Sequence, residues 1–433
     1  MGKLQKHRTP RLALAAAAAS ALLLTSCGQS DSAPVLTWYI NPDDGGQAAL
    51  AQQCTEEADG AYRINTSLLP NDAPDQREQL ARRLAAGDSS LDIMSLDPPF
   101  IPELADPGFL APVPEEVAER TTEDTLEGAL AGAMWDDELV AVPFWANTQL
   151  LWYRESVAEE AGINMDEPVT WDQLMDVAAE QEKYLGVQGI RAESMTVWVN
   201  ALMESQEESI LVDPSAGAEE LETNLDSEAG RRSAEILSRI GEEGLGGPGI
   251  SSMDENQSML LFQGDDGSFM VNWPFVWPAT NAAAEEGSID SQIPEDMGWA
   301  QYPRVDPDTE AAPPLGGINL AVGAESEHPE LAYQAIECVV TPENQAEYFV
   351  TNGNPPSSAA AFEDSRVEEG FPMAEAIRDS LDSSAPRPQT PFYNEISESI
   401  QGEFTPLSGV DPQTTPAQTD SYIIEVLRGE RLL

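Results

Sequence analysis

Strand-like and helix-like segments alternate at the start of the mature chain. Runs of β-branched and aromatic residues at Val35–Ile40, Tyr62–Leu69 and Leu91–Leu96 alternate with helical spacing at Gln47–Ala58 and Asp75–Ala86. This βαβαβ order predicts a parallel sheet with helices on its faces, and therefore an α/β fold. Ligands bind such sheets at the carboxyl ends of the strands, so the loops after these strands are candidate sites.

The length of the chain predicts more than one core. A chain of 433 residues exceeds the size of an ordinary single domain, so two lobes are expected. Residues 1–26 are not expected to join them. They combine a basic start with the apolar run Leu12–Leu24, which is too short to span a bilayer permanently and is typical of a signal peptide.

The sequence Leu24-Thr25-Ser26-Cys27-Gly28 follows that run and resembles a bacterial lipobox. In such a motif, cleavage precedes the cysteine, and its sulfur carries a lipid. Residues 27–34 then form a lipidated cysteine and a polar tether. We therefore expect a protein anchored by lipid to the extracellular face of the cell membrane.

The charge of the chain excludes several partners. The formal net charge is −56 at pH 7, and removal of residues 1–26, which contain four basic residues and no acidic one, lowers it to −60. A surface this acidic argues against binding nucleic acid and against electrostatic adsorption to anionic lipid.

Few residues remain for metal or nucleophilic chemistry. The mature chain has one histidine, His328, beside a predicted helix start, where a structural role is favoured. Cys54 and Cys338 form an even pair in an exported protein, which makes a disulfide plausible, although spacing cannot establish it. We expect neither a metal site nor a cofactor.

The stretch Val140–Arg154 places polar amides within an apolar, aromatic run. After a turn at Asp136-Asp137, Leu139–Val142 is predicted as a strand that Pro143 ends, because proline has no N–H to donate. Buried amides need hydrogen-bond partners, so Asn147 is either satisfied within a core strand or available to a ligand. Trp145, nearby, is left unassigned.

Other polar and aromatic residues lie in separate loops. Gly267–Asn272 is predicted as a strand that leads into the sequence Trp-Pro-Phe-Val-Trp. Sugars are bound by flat aromatic faces and by carboxylates, amides and guanidinium groups that bond vicinal hydroxyls. Together these loops suggest a ligand clamped between two lobes. The candidate residues are Asp44, Asp97, Asn147, Glu255, Trp273, Trp277 and Arg387.

Several longer segments carry a family resemblance. The lipobox, the strand entering the second lobe (AVP) and the segment GNPPSS resemble extracellular solute-binding proteins of bacterial ABC sugar importers. Four further segments are similar to the trehalose-binding lipoproteins of actinobacterial importers: QREQLARRLAAGDSSLDIMSLD, NTQLLWYR, VNWPFVW and PRPQTPFYNEIS. The resemblance covers essentially the whole mature chain.

The resemblance implies which residues line a disaccharide site. They are Asp97, Asn147, Glu255, Trp273, Arg387 and the backbone of Gly316-Gly317, with Asp44 nearby.

The resemblance also implies an α/β, two-lobed, periplasmic-binding-protein-like fold with hinge crossings and a central ligand cleft. Lobe one would comprise 35–143 and 315–365, and lobe two 144–314 and 366–433. This division puts Cys54 and Cys338 on helices of one lobe, which supports their disulfide. A monomer would close around the sugar and deliver it to the membrane subunits of an ABC permease.

Three functions are compatible with these observations. The first is a trehalose receptor that performs no chemistry. The second is a receptor for maltose, another α-glucoside or a short oligosaccharide. The third is a secreted glycoside hydrolase using two carboxylates, such as Asp97 and Glu255. We expect a binding protein and not an enzyme, because nothing in the sequence marks a general acid.

Overall fold

The computed structural model describes residues 33–433. The predicted signal peptide, the lipidation site Cys27 and all but the last two residues of the 27–34 segment therefore lie outside the described residues. Among those described, no helix combines the length and the apolar character needed to cross a membrane.

The strands are numbered in chain order. They are β1 Val35–Ile40, β2 Arg63–Leu68, β3 Ile93–Leu96, β4 Met134–Trp135, β5 Glu138–Leu139, β6 Val142–Asn147, β7 Leu150–Arg154, β8 Tyr184–Gly186, β9 Gly267–Asn272, β10 Met297–Ala300 and β11 Gly316–Val322.

The helices are numbered in the same way. They are α1 Gly46–Glu57, α2 Ala73–Ala85, α3 Ile101–Ala105, α4 Glu115–Thr122, α5 Glu127–Ala131, α6 Glu155–Ala161, α7 Trp171–Glu180, α8 Glu193–Glu204, α9 Glu228–Glu242, α10 Glu255–Gln263, α11 Val276–Glu285, α12 Pro329–Val339, α13 Pro342–Asn352, α14 Ser365–Gly370, α15 Ala374–Asp382, α16 Tyr393–Glu403 and α17 Thr415–Leu427.

The first sheet has five strands in the order β2-β1-β3-β11-β6. Strand β1 runs parallel to β2 and β3, which confirms the parallel βαβαβ unit predicted from the sequence. Strand β11 is antiparallel to both β3 and β6. The carboxyl ends of β1, β3 and β6 therefore share one edge of the sheet with the amino end of β11.

The second sheet has four strands in the order β10-β7-β9-β8. Strand β7 is antiparallel to β9 and β10, whereas β8 and β9 are parallel. The carboxyl ends of β8 and β9 therefore meet the amino end of β7. The two-residue connection from β6 to β7 joins this edge directly to the edge of the first sheet where β1, β3 and β6 end.

The region around Pro143 differs from the sequence prediction. Asp136 and Asp137 do form a turn, at φ 50° and 63°, but it closes the short β4–β5 hairpin. The predicted strand Leu139–Val142 is wrong, because β5 ends at Leu139 and β6 begins at Val142 and continues through Pro143. Pro143 is tolerated there because β6 is an edge strand and its register shifts at the neighbouring Ile318/Asn319 pair. The lobe boundary at 143 stays a prediction, and the first sheet extends to Asn147.

Apolar side chains pack on both sheets. One cluster covers a face of the first sheet and includes Trp38, Phe144 and Tyr348, and another covers its other face and includes Met94 and Leu104. A third cluster covers one face of the second sheet with Trp171 and Phe269 among its members, and a fourth covers the other face with Trp152 and Met270. Such burial is the main favourable contribution to folding.

A disulfide joins α1 to α12. Cys54 and Cys338 are bonded, as the sequence made plausible, although they are separated by 284 positions. Cys54 is fully buried in the cluster that covers the first sheet. The bond therefore fastens a late helix to the first helix of the fold.

We expect the double variant Cys54→Ala/Cys338→Ala to be less stable by about 3–5 kcal/mol, because the bond restricts a very long loop of the unfolded chain. Urea unfolding would measure the loss. As a control, a reductant should lower the unfolding midpoint of the parent protein and leave that of the variant unchanged. Equal stability of the two proteins would contradict the expectation.

Candidate functional site

Residues at the ends of strands from both sheets line an open cavity of about 680 Å³. Its lining comes from strand ends and from the loops and helix starts that follow them. The residues are Asn41, Asn71, Asp72, Ala73, Pro74, Gln76, Asp97, Trp145, Asn147, Ile190, Arg191, Ala192, Glu193, Ser194, Val197, Glu255, Trp273, Phe275, Gly316, Gly317, Ile318, Arg387 and Gln401. The prediction that ligands would meet the carboxyl ends of the strands thus agrees with the position of the cavity.

Arg387 is the electrostatic centre of this cavity. Its Nη2 donates to Oδ1 of Asp97 at 2.5 Å, and its Nη1 donates to Oε1 of Glu193 at 2.7 Å. The Arg387 side chain is only 4% exposed. A buried guanidinium between two carboxylates is stabilised by charge-assisted hydrogen bonds in a medium of low dielectric constant.

Glu193 is itself fixed by helix α16. Tyr393 donates its hydroxyl to Oε1 of Glu193, and Ser397 donates to Oε2 at 2.7 Å. The ring of Tyr393 packs edge-on against Phe100, which follows β3 and Asp97. The two ion pairs of Arg387 and this aromatic contact therefore connect the first sheet to α8 and α16.

Burial perturbs the titration of these groups. Burial raises the pKa of Asp97, and the adjacent Arg387 guanidinium opposes that rise. Burial alone would lower the pKa of Arg387, but the negative charges of Asp97 and Glu193 outweigh it. The pKa is therefore raised, and the guanidinium stays charged. Burial also raises the pKa of Tyr393, which therefore remains a hydrogen-bond donor.

A glycine pair allows β11 to approach β6 closely. Gly316 pairs with Asn147, and Gly317 pairs with Ala146. Gly317 has φ 123°, and a Cβ there would collide with the carbonyl oxygen of Trp145. A Cβ on Gly316 would lie 3.1 Å from the Trp273 ring. Position 317 therefore requires glycine, whereas a side chain at 316 would need the Trp273 ring to move by a few tenths of an ångström. Both residues line the cavity with backbone.

Trp273 and Glu255 reach the cavity from the second sheet. Asn272, the last residue of β9, accepts from the Trp273 amide at 2.9 Å and donates to the carbonyl of Glu255 at 2.9 Å. Asp254 caps α10 through a reciprocal capping box with Gln257, so Glu255 occupies the first turn. Burial raises the pKa of Glu255, and the nearby acid Asp254 adds to the rise.

The structure does not bring two of the predicted residues to the cavity. Asp44 lies in a separate surface pocket of about 400 Å³ between α1 and α13. Trp277 sits one helical turn beyond Trp273, where its ring packs edge-on against Trp299 and its Nε1 donates to the carbonyl of Gly370. The other predicted residues, Asp97, Asn147, Glu255, Trp273, Gly317 and Arg387, all line the cavity.

Several lining residues were missed by reasoning from sequence. Glu193 begins α8 and looks like an ordinary acidic residue in a first helical turn. Phe275 lies within the Trp273–Trp277 loop, and Trp145 lies in the stretch already singled out. Only Trp145 had a local signal in the sequence, because it is an aromatic residue next to amides that need hydrogen-bond partners when they are buried. Within residues 33–433, no group of three or more His, Cys, Asp or Glu side chains is placed to hold a metal ion.

We expect Arg387→Ala to lower the free energy of unfolding by about 3–5 kcal/mol, because it leaves the mostly buried carboxylates of Asp97 and Glu193 without their cation. Urea unfolding would measure the change. Arg82→Ala is the matched control, since the Arg82 side chain is 76% exposed in a pair with Glu78, and its unfolding midpoint should hardly move. Equal effects of the two substitutions would show that the Arg387 cluster does not stabilise the fold.

Comparison with known structures supports the two-lobed architecture. Maltose-bound T. maritima MalE3 superposes with a TM-score of 0.78 at 22% identity, covering 92% of this chain and 100% of that one. A solute-binding protein of Agrobacterium radiobacter K84 in complex with ribitol gives a TM-score of 0.75 at 17% identity, covering 91% and 98%. At these identities the likeness shows the fold alone, and it confirms the expected two-lobed, periplasmic-binding-protein-like α/β fold.

Sequence comparison identifies the family. A probable ABC transporter-binding protein of Deinococcus radiodurans is 26% identical over 278 residues, which cover 61% of this chain and 62% of that protein. The chain thus spans less than two thirds of the length of that curated relative. The model of the family described as bacterial extracellular solute-binding protein matches residues 49–374, more than half of the chain. Because of this match, the chain belongs to the bacterial extracellular solute-binding protein family, whose members bind solutes and are not enzymes.

Proposed function

We propose that this protein is the solute receptor of a bacterial ABC importer, that it captures a sugar, and that the sugar is the disaccharide trehalose. The observation that carries the proposal is the combination of chemical groups in the cavity. The rings of Trp145, Trp273 and Phe275 line it together with carboxylates, amides and a buried guanidinium. Aromatic faces cover the C–H patches of a sugar ring, and the polar groups bond its hydroxyls.

The size of the cavity supports a small-molecule ligand. A volume of about 680 Å³ falls within the range of about 300–1,000 Å³ that is usual for such sites. The lining includes exposed backbone at Gly317 and the amide of Asn147, which can bond hydroxyls without adding charge. These features suit a neutral, polyhydroxylated ligand.

Trehalose is favoured over other sugars by the four long segments that are similar to trehalose-binding lipoproteins. All four contribute residues that line the cavity, namely Asp97, Asn147, Trp273 and Arg387 in chain order. Maltose is the second candidate, because the structural relative from T. maritima carries maltose. The hydrolase alternative gains no support, because Asp97 is already engaged by Arg387.

Capture would proceed by closure of the two lobes, 35–143 with 315–365 against 144–314 with 366–433. A ligand that fits the closed form better than the open form shifts the population toward closure. The closed protein would then present the sugar to the membrane subunits of the permease. In this scheme Arg387, held by Asp97 from the first sheet and by Glu193 from α8, joins the two sides of the cleft.

We expect calorimetric titration to show binding of trehalose and weaker binding of maltose and glucose. Trp273→Ala should weaken trehalose binding about ten-fold or more, equal to at least about 1.4 kcal/mol, because it removes an aromatic face of the site. Trp299→Ala is the control, since Trp299 packs on Trp277 away from the cavity. Failure of every sugar to bind would refute the proposal, and preferred binding of maltose would change the ligand.

The membrane anchor is a separate part of the proposal. Cys27 would carry the lipid, and the tether that follows would leave the receptor free to reach the permease. We expect Cys27→Ser to move the protein from the membrane fraction to the medium, as measured by immunoblotting of fractionated cells. Ser26→Ala, which keeps the cysteine, should remain membrane-bound. Retention of the Cys27→Ser protein in the membrane fraction would refute lipid anchoring at this residue.

A further inference from the structure

We propose that Trp145 is a solute-binding residue that donates its indole N–H to the ligand, and that Asn41 and Ser194 complete this part of the site. The inference rests on the proposed sugar-binding function and adds residues that the sequence did not assign. Four side chains that line the cavity carry a buried polar atom with no hydrogen-bond partner among residues 33–433. These atoms are Asn41 Oδ1, Trp145 Nε1, Ser194 Oγ and Arg387 Nε.

Unpartnered buried atoms of this kind are unusual. Buried nitrogen and oxygen atoms in folded proteins almost always have a partner, because burial removes their bonds to water. Ser194 and Arg387 are both more than nine-tenths buried, with exposed fractions of 6% and 4%. The four residues line one cavity, which they reach from the end of β1, from β6, from α8 and from the loop before α16. A ligand inside the cavity is therefore the shared partner that we propose for their unpartnered atoms.

The position of Trp145 is fixed by its backbone. Its main chain pairs with Ile318 of β11 on one side and forms a bridge with Pro356 on the other. The glycine at 317 permits a close approach to the Trp145 carbonyl. The indole is therefore attached to a strand that is held from both sides, and Trp145 lines the cavity. Bonding a ligand there would cost little conformational freedom.

The chemistry of the four atoms defines the ligand that fits them. An indole N–H and a guanidinium Nε–H are donors only, the Asn41 oxygen is an acceptor only, and the Ser194 hydroxyl is both. The ligand must therefore offer at least two acceptors and one donor. A sugar hydroxyl serves in either role, and a glycosidic oxygen serves as an acceptor, so a polyhydroxylated ligand satisfies all four atoms.

The test removes the N–H of Trp145 and keeps an aromatic ring. We expect Trp145→Phe to bind trehalose about ten-fold more weakly or worse in calorimetric titration, because the accepting oxygen of the ligand loses its donor. Trp198→Phe is the matched control. The indole N–H of Trp198 is also buried and unpartnered, but Trp198 does not line the cavity, so its replacement should leave the affinity unchanged.

Thermal melting separates binding from folding. Both substitutions remove a donor that has no partner in the sugar-free protein, so no hydrogen bond is lost. The melting temperature of that protein should therefore fall only as far as the smaller buried area of phenylalanine requires. Only Trp145→Phe should reduce the increase in melting temperature that saturating sugar produces.

Monodeoxy analogues of trehalose identify the accepting oxygen. The analogue that lacks this oxygen should bind to the parent protein and to Trp145→Phe with equal affinity, because the acceptor of the indole N–H is then absent from the ligand. Binding of trehalose by Trp145→Phe as tightly as by the parent would overturn the inference and leave the proposed function intact. Binding of no sugar by the parent protein would overturn both.

Discussion

Strand β11 is the constraint on which the site depends. It enters the first sheet between β3 and β6 after the chain has built the second sheet, and it runs antiparallel to both neighbours. Just before it, the Leu315 amide donates to the Ala385 carbonyl at 2.9 Å, and the Ala385 amide donates to the Pro313 carbonyl at 2.9 Å. Two distant segments are therefore bonded side by side. As a consequence Arg387, two residues after Ala385, reaches the same cavity as Gly317.

The charge of the molecule gives Arg387 its importance. In a chain with a net charge of −56, carboxylates are abundant and guanidinium groups are few. An acidic residue buried without a cation would have to be protonated or hydrated. Arg387 instead allows Asp97 and Glu193 to lie together in the cleft. A buried ion pair of this kind adds little to the net stability of a protein, but it fixes one arrangement of its groups. A solute site requires such a fixed arrangement.

The remaining polar groups of the cavity follow a different rule. Trp145 and Ser194 are held in place by a strand ladder and a helix start, and their polar atoms have no partner among the described residues. The free energy lost by leaving such atoms unpaired is recovered when a ligand bonds them. In our proposal the charged cluster fixes the geometry, and these neutral groups determine which hydroxyls are recognised.

The sequence by itself determined the local features of this protein. Hydrophobic periodicity and turn residues predicted the βαβαβ unit, and the position of Asp97 at the end of β3 followed from it, because these signals act over a few residues. The tertiary structure alone decided which side chains meet. Trp273 and Trp277 look equivalent in sequence, yet Trp273, just before α11, lines the cavity, whereas Trp277, in the first turn of α11, does not. The pairing of Arg387 with Asp97, 290 positions away, and with Glu193, 194 positions away, depends on the order of strands and on the crossing at β11. No local pattern encodes that order, because it results from the packing of the whole chain.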